Sequence, residues 1–121
     1  MSKLILVIED QADNRRIMRD LFTSVGYKVI EAVTGESGVT AAETHNPDII
    51  LMDIQLPDFD GYEATRRIKA KPALSAIPII AVTSYALSGD DVKAYEAGCD
   101  AYVSKPFSPR ELLAKVREIL V

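Results

Sequence analysis

The segments LVIED, residues 6–10, and LMDIQLP, residues 51–57, are short apolar runs that lead directly into carboxylates. A continuous apolar run of this length is typical of a strand that is buried on both faces of a parallel sheet. What the acids do depends on whether the two strand ends meet in the fold. It depends equally on which other groups meet them there.

Around these two segments, strand-like runs alternate five times with amphipathic stretches of helical spacing. The predicted strands are Leu4–Ile8, Tyr27–Ala32, Ile49–Met52, Ile79–Val82 and Ala101–Val103. The predicted helices are Asp13–Val25, Thr34–His45, Tyr62–Lys71, Ser88–Ala97 and a last one that starts near Pro109. Such alternation indicates right-handed βαβ units. We expect a doubly wound α/β fold, with five helices around a five-stranded parallel sheet of order 2-1-3-4-5, since a closed barrel needs about twice this length.

The bulk composition sets broad limits on the function. The 121 residues fit one domain, 1–121, with an ordinary 48% of hydrophobic and 26% of charged residues. The net charge of -4 argues against nucleic acid as a direct partner. The only cysteine is Cys99, and the apolar start is too short for a signal or membrane segment. We therefore expect a cytoplasmic protein without membrane insertion, and the initial Met1 with a last helix that runs to the end favours a complete chain.

Polar groups follow four of the predicted strands, and parallel strands place their carboxyl ends at one edge of the sheet. These groups are Glu9 and Asp10, Asp53, Thr83, and Lys105. If the first and third strands are neighbours, about 4.8 Å apart, their three carboxylates crowd together and require a positive charge. Hard oxygen ligands suit Mg²⁺, and a metal, a lysine, a hydroxyl and a free carboxylate together form a site for moving a phosphoryl group.

Four segments, taken together, resemble the receiver domain of two-component response regulators over essentially the whole chain. They are VIEDQADNRRIMRDLF, PDIILMDIQLPDFDGYE, IPIIAVTSYA and EAGCDAYVSKPFSPREL. Within the family the chain looks most like stand-alone regulators of the DivK type or receivers of hybrid histidine kinases. The resemblance implies the flavodoxin-like, CheY-like version of the predicted fold.

The resemblance also implies roles for the residues at the strand ends. Asp53 would be the phosphoacceptor, and Lys105 would pair with the phosphoryl oxygens. Asp10 and Asp53 would bind Mg²⁺ through carboxylates and Gln55 through its backbone carbonyl, with Glu9 acting mostly through water. No signature position is missing from the sequence.

A conformational switch is implied by the same resemblance. Thr83 would be the switch hydroxyl and Tyr102 the switch aromatic, and the surface of the fourth helix, fifth strand and fifth helix would report the change. Gln55 and Tyr85 would border the path of water to the acyl phosphate and set its lifetime. A bulky Tyr85 predicts slow loss of the phosphoryl group.

The implied partners are a sensor histidine kinase or a histidine phosphotransfer protein, and a downstream protein target. The chain would be no enzyme beyond its own phosphorylation and dephosphorylation, and would be a monomer that dimerises, if at all, on phosphorylation. Arg15 and Arg16 are interpreted as a solvated helix face, with a possible part in docking.

Three other functions stay open at this point. A carboxylate-nucleophile phosphatase would typically place a second aspartate at position 55, where this chain has Gln55. A flavin-binding module would need a hydroxyl-rich phosphate loop after the first strand, where the chain has EDQADN. A scaffold that works without phosphorylation is disfavoured by the intact site.

Overall fold

The computed structural model of the chain describes residues 3–83, 90–105 and 108–120. The strands are β1 Leu4–Ile8, β2 Lys28–Ala32, β3 Ile49–Asp53, β4 Ile79–Thr83 and β5 Ala101–Ser104. The helices are α1 Ala12–Ser24, α2 Gly35–His45, α3 Gly61–Lys69, α4 Asp90–Ala97 and α5 Pro109–Leu120. All strand pairs are parallel, and the order β2-β1-β3-β4-β5 confirms the predicted fold.

The sheet separates two hydrophobic cores, because successive side chains of a strand point to opposite faces. On one face, Leu6, Ile50 and Ala81 pack with α2, α3 and α4. On the other, Val7 and Leu51 pack with residues of α1 and α5 such as Phe22 and Leu112. Both faces of β3 and β4 are covered, so every residue of these strands is buried. The central strands are therefore rigid supports for whatever follows them.

Three strands run one residue further than the sequence pattern predicts, and the extra residue is polar in each: Asp53, Thr83 and Ser104. Backbone pairing with neighbours extends them, since Asp53 is in register with Val82 and Thr83 with Ser104. The polar side chains at these ends are thus held by the sheet itself. The predicted start of the fourth helix at Ser88 lies outside the described residues.

Local side-chain and glycine signals mark the ends of three helices. The Thr34 hydroxyl accepts a hydrogen bond from Ser37 N–H in a capping box at the start of α2. Asp60 caps α3 by accepting from Glu63 N–H at 2.9 Å. Gly26, with φ of +95°, follows α1 in a conformation that side chains disfavour.

We call the edge where the strands begin the amino edge, and the opposite one the carboxyl edge. Two aspartates bind backbone at the amino edge. Asp48 accepts a hydrogen bond from Leu4 N–H at 2.7 Å, and Asp100 accepts one from Ile79 N–H at 2.9 Å and lies 3.2 Å from Lys69 Nζ. These acids stabilise the strand starts because backbone donors and a lysine satisfy them. In the part of the chain described, no helix is long and apolar enough to cross a membrane.

Candidate functional site

Four strands deliver polar residues to the carboxyl edge. β1 leads into Glu9 and Asp10, β3 ends at Asp53, β4 ends at Thr83, and β5 leads into Lys105. Ile8 and Met52 are register partners, so the acids that follow them emerge side by side. The juxtaposition predicted from the parallel topology is present.

The acidic cluster of Glu9, Asp10 and Asp53 offers one oxygen from each carboxylate, all within 4.8 Å of one another. Glu9 and Asp53 are only 1% and 4% exposed, whereas Asp10 lies at the surface. Three hard oxygen donors, two of them buried and one open to solvent, fit a magnesium ion that keeps several of its waters. The type and arrangement of these oxygen donors are therefore compatible with a bound Mg²⁺ ion.

Lys105 is the counter-charge of this cluster. Its Nζ lies 3.0 Å from Glu9 Oε1 and 3.6 Å from Asp53 Oδ1. Its backbone N–H donates to the Thr83 carbonyl at 2.6 Å, which fixes the lysine beside β4. Three carboxylates face one ammonium group among these residues, so the cluster keeps an excess of negative charge that a cation would neutralise.

The crowding changes the acidity of the cluster. Burial, followed by the neighbouring Glu9 carboxylate, raises the pKa of Asp53 to about 7, although Lys105 and the Gln55 N–H oppose the shift. Burial also acts on Glu9, but hydrogen bonds with Asp53 and Lys105 outweigh it and lower the pKa of Glu9. Because Lys105 lies nearer to Glu9 than to Asp53, it favours the ionised carboxylate more strongly at Glu9. Burial and the Glu9 charge raise the pKa of Asp10.

The remaining predicted site residues lie around this centre. Gln55 has an exposed side chain, and its backbone N–H donates to Asp53 Oδ1 at 3.3 Å. Thr83 is fully buried, and Tyr102 is half-buried against the core on the α3–α4 face. Tyr102 on β5 is in register with Ala81 on β4, so these two side chains lie on the same face of the sheet. Thr83 lies two residues after Ala81 and therefore points to that face as well. Tyr85 lies outside the described residues.

The loop between β3 and α3 is anchored at both ends. Asp58 accepts hydrogen bonds from Gly35 N–H at 2.8 Å and Glu36 N–H at 2.9 Å, at the start of α2. A Cβ on Gly61 would press into the Asp53 carbonyl oxygen, so only glycine allows α3 to start this close to β3. Neither role could be predicted from the sequence: the partners of Asp58 lie more than twenty residues earlier in the chain, and the close approach at Gly61 exists only in the folded chain.

The interpretation of Arg15 as part of a solvated helix face is wrong. Only 19% of its side chain is exposed, and its guanidinium binds the loop that carries Glu9 and Asp10. Arg16 does face solvent, with 64% exposure and a surface ion pair to Asp13. The signal was present in the sequence, because Arg15 begins the stripe that continues through the buried Met18 and Phe22.

With this geometry established, comparison with known proteins identifies the family. Residues 5–117 match the response regulator receiver domain. The chain belongs to this family. A receiver domain works in two-component signalling, with histidine kinases or phosphotransfer proteins and with downstream targets. Membership favours this function over the phosphatase and flavin-binding alternatives.

Three relatives show how closely this receiver follows the family. The polar-differentiation response regulator DivK of Brucella ovis is 39% identical over 120 residues, which cover 99% of this chain and 98% of that protein. The receiver domain of sensor histidine kinase PA1611 from Pseudomonas aeruginosa is 38% identical, with a TM-score of 0.91 and coverage of 99% and 98% of the two chains. A CheY-like receiver domain protein from Methanospirillum hungatei is 34% identical, with a TM-score of 0.90 and coverage of 99% and 94%. The PA1611 receiver holds a magnesium ion in its active-site cleft.

Proposed function

We propose that this receiver accepts a phosphoryl group on Asp53 from a phosphohistidine of a sensor kinase or a histidine phosphotransfer protein. The observation that carries the proposal is a buried carboxylate at the end of β3, held between an acidic pair and a lysine. Such a carboxylate is a nucleophile whose surroundings are arranged for an anionic, phosphorus-containing reactant.

The acidic cluster would hold Mg²⁺ through the carboxylates of Asp10 and Asp53 and the backbone carbonyl of Gln55, with Glu9 acting mostly through water. When bound, the ion would offset negative charge on the phosphoryl oxygens and favour ionised Asp53. The magnesium ion in the PA1611 receiver supports this assignment.

In the transfer step, one Asp53 carboxylate oxygen forms a bond to phosphorus while the bond from phosphorus to the histidine nitrogen breaks. The imidazole leaves with the electron pair of that bond, and the product on this chain is an acyl phosphate. Lys105 lies 3.6 Å from the nucleophile and stabilises the charge on the transferring group. The chain thus catalyses only its own modification and the later hydrolysis, and turns over no other substrate.

Phosphorylation would add roughly two negative charges beside the end of β4. The Thr83 hydroxyl would turn toward the new oxygens, and Tyr102, on the same face of the sheet, would move into the vacated space. The surface of α4, β5 and α5 would then present a different shape to a downstream protein, as a two-state element. Gln55 and Tyr85 would slow water attack on the acyl phosphate.

The expected partners are proteins, without direct nucleic-acid binding or membrane insertion, and the chain would act as a monomer that can dimerise through α4 after phosphorylation. The net charge of -4 supports the exclusion of nucleic acid.

The test is intact-mass spectrometry after incubation with a small acyl-phosphate donor, with Mg²⁺ or with EDTA. Wild type is expected to gain the mass of one phosphoryl group only with Mg²⁺, and Asp53→Asn to gain none. Asp48→Asn is the matched control, since it removes an aspartate at the amino edge and should still be modified. An equal adduct on Asp53→Asn would contradict the proposal. So would the lack of any adduct on folded wild type with both the small donor and a phosphorylated histidine phosphotransfer protein.

A further inference from the structure

The guanidinium of Arg15 connects three parts of the fold beside the acidic cluster. Its Nη1 donates to the carbonyl oxygens of both Glu9 and Asp10, each at 2.9 Å. Its Nε lies 3.5 Å from Glu31 Oε1 on β2. One helix residue therefore binds the backbone of the two acidic residues and is itself bound by the edge strand.

The arginine is held in place on both sides. Its side chain is 19% exposed and that of Glu31 is 24% exposed, so little solvent competes with their ion pair. Glu31 also binds Arg19 Nη1 at 2.9 Å, which keeps its carboxylate directed at α1. The planar guanidinium can donate in several fixed directions at once, whereas an ammonium group on a flexible stem cannot reproduce that geometry.

The two hydrogen bonds to consecutive carbonyls determine how the acidic side chains project. Binding both carbonyls to one nitrogen fixes two adjacent peptide planes, and the planes fix the directions of the Cα–Cβ bonds of Glu9 and Asp10. The peptide before Glu9 is fixed as well, because Glu9 N–H donates to the Ala32 carbonyl of β2 at 3.0 Å, so the end of β1 cannot rotate to compensate.

We propose that Arg15 is a positioning residue for metal binding: it sets the peptide planes of Glu9 and Asp10 so that their carboxylates converge with Asp53. Arg15 acts through the backbone of these residues and has no direct contact with metal or phosphoryl group. The inference rests on the proposed magnesium site and adds to it an arginine that the acidic motif alone does not include.

The test is the dissociation constant for Mg²⁺, measured by isothermal titration calorimetry on the full chain without any phosphoryl donor. Arg15→Gln is expected to weaken Mg²⁺ binding about tenfold, the range in which groups that orient metal ligands act. Arg15→Lys is expected to recover part of the affinity, and Glu31→Gln to weaken it less than Arg15→Gln. Arg16→Gln is the matched control, since Arg16 is the next residue of α1 and, within the described residues, forms a surface ion pair with Asp13.

Circular dichroism in EDTA separates positioning from general stability. A merely structural arginine would lower the melting temperature of Arg15→Gln and leave the Mg²⁺ dissociation constant of the folded variant unchanged. Equal dissociation constants for Arg15→Gln and Arg16→Gln would overturn the inference while the magnesium site stands. Wild type that takes no Mg²⁺ would overturn both the proposed metal site and this inference.

Discussion

Replacing Asp53 by Asn should stabilise the metal-free receiver, and the gain should depend on pH. Burial and the Glu9 charge raise the pKa of Asp53 from its usual 3.8 to about 7. Between these values the native state binds a proton that the unfolded chain releases, so stability of wild type falls as pH rises through this window. Well below pH 3.8 the carboxyl is protonated in both states, and its substitution removes no charge.

The size of the effect follows from two separate arguments. A pKa raised from 3.8 to about 7 corresponds to about 4 kcal/mol of lost stability above pH 7. Two carboxylates separated by up to 4.8 Å repel by roughly 3 kcal/mol at an effective dielectric constant near 20. Because Glu9 and nearby water relax, we expect Asp53→Asn to gain about 2 kcal/mol at pH 8 and almost nothing at pH 4.

The assay is urea unfolding followed by far-ultraviolet circular dichroism, in EDTA, at several pH values from 4 to 8. The chain contains no tryptophan, so its fluorescence is no substitute. Asp48→Asn serves as control and should show no gain at either pH, because the Asp48 carboxylate is satisfied by Leu4 N–H. A gain for Asp53→Asn that is equal at pH 4 and pH 8, or absent at pH 8, would refute the reasoning. Added Mg²⁺ should favour wild type and reduce the difference.

Two further outcomes follow from the site. Gly61→Ala should lower stability by about 2 kcal/mol, because the added methyl group meets the Asp53 backbone, which cannot move without displacing β3. In Gly35→Ala the nearest obstacle to the methyl group is the Phe59 ring, a side chain that can shift. A loss for Gly35→Ala as large as that of Gly61→Ala in chemical denaturation would contradict this account. Thr83→Ala should still be phosphorylated but should lose most of the dependence of partner affinity on phosphorylation, as measured by calorimetry with and without the phosphoryl group; an unchanged dependence would remove Thr83 from the switch.

Much of this fold could be predicted from the sequence, because β1, β3 and β4 are almost continuous apolar runs and most of the helices have an apolar stripe or a cap. The convergence of Glu9, Asp10 and Asp53 followed from topology, since parallel strands share a carboxyl edge. The exact strand ends could not be predicted, because Asp53 joins β3 through pairing with β4, which local sequence does not reveal.

The features that could not be predicted from the sequence are hydrogen bonds between side chains and distant backbone groups. Arg15 was interpreted from its charge, although its place in the stripe with Met18 indicated partial burial. Asp58 accepts a hydrogen bond from the start of α2, and the residues near Asp58 in the sequence give no indication of that partner. Backbone donors and acceptors have no sequence signature of their own, so such contacts become visible only when the chain is folded.

Aspartates lie at both edges of the sheet, but their surroundings at the two edges differ. At the amino edge, Asp48 and Asp100 are satisfied by strand N–H groups. At the carboxyl edge, Asp53 is crowded by another acid. A directed-evolution campaign that rewards heat resistance alone would therefore retain the first pair and discard the third aspartate. Engineering of higher thermal stability, for use of this receiver as a biosensor, must therefore keep the carboxyl-edge acids and introduce stabilising substitutions elsewhere.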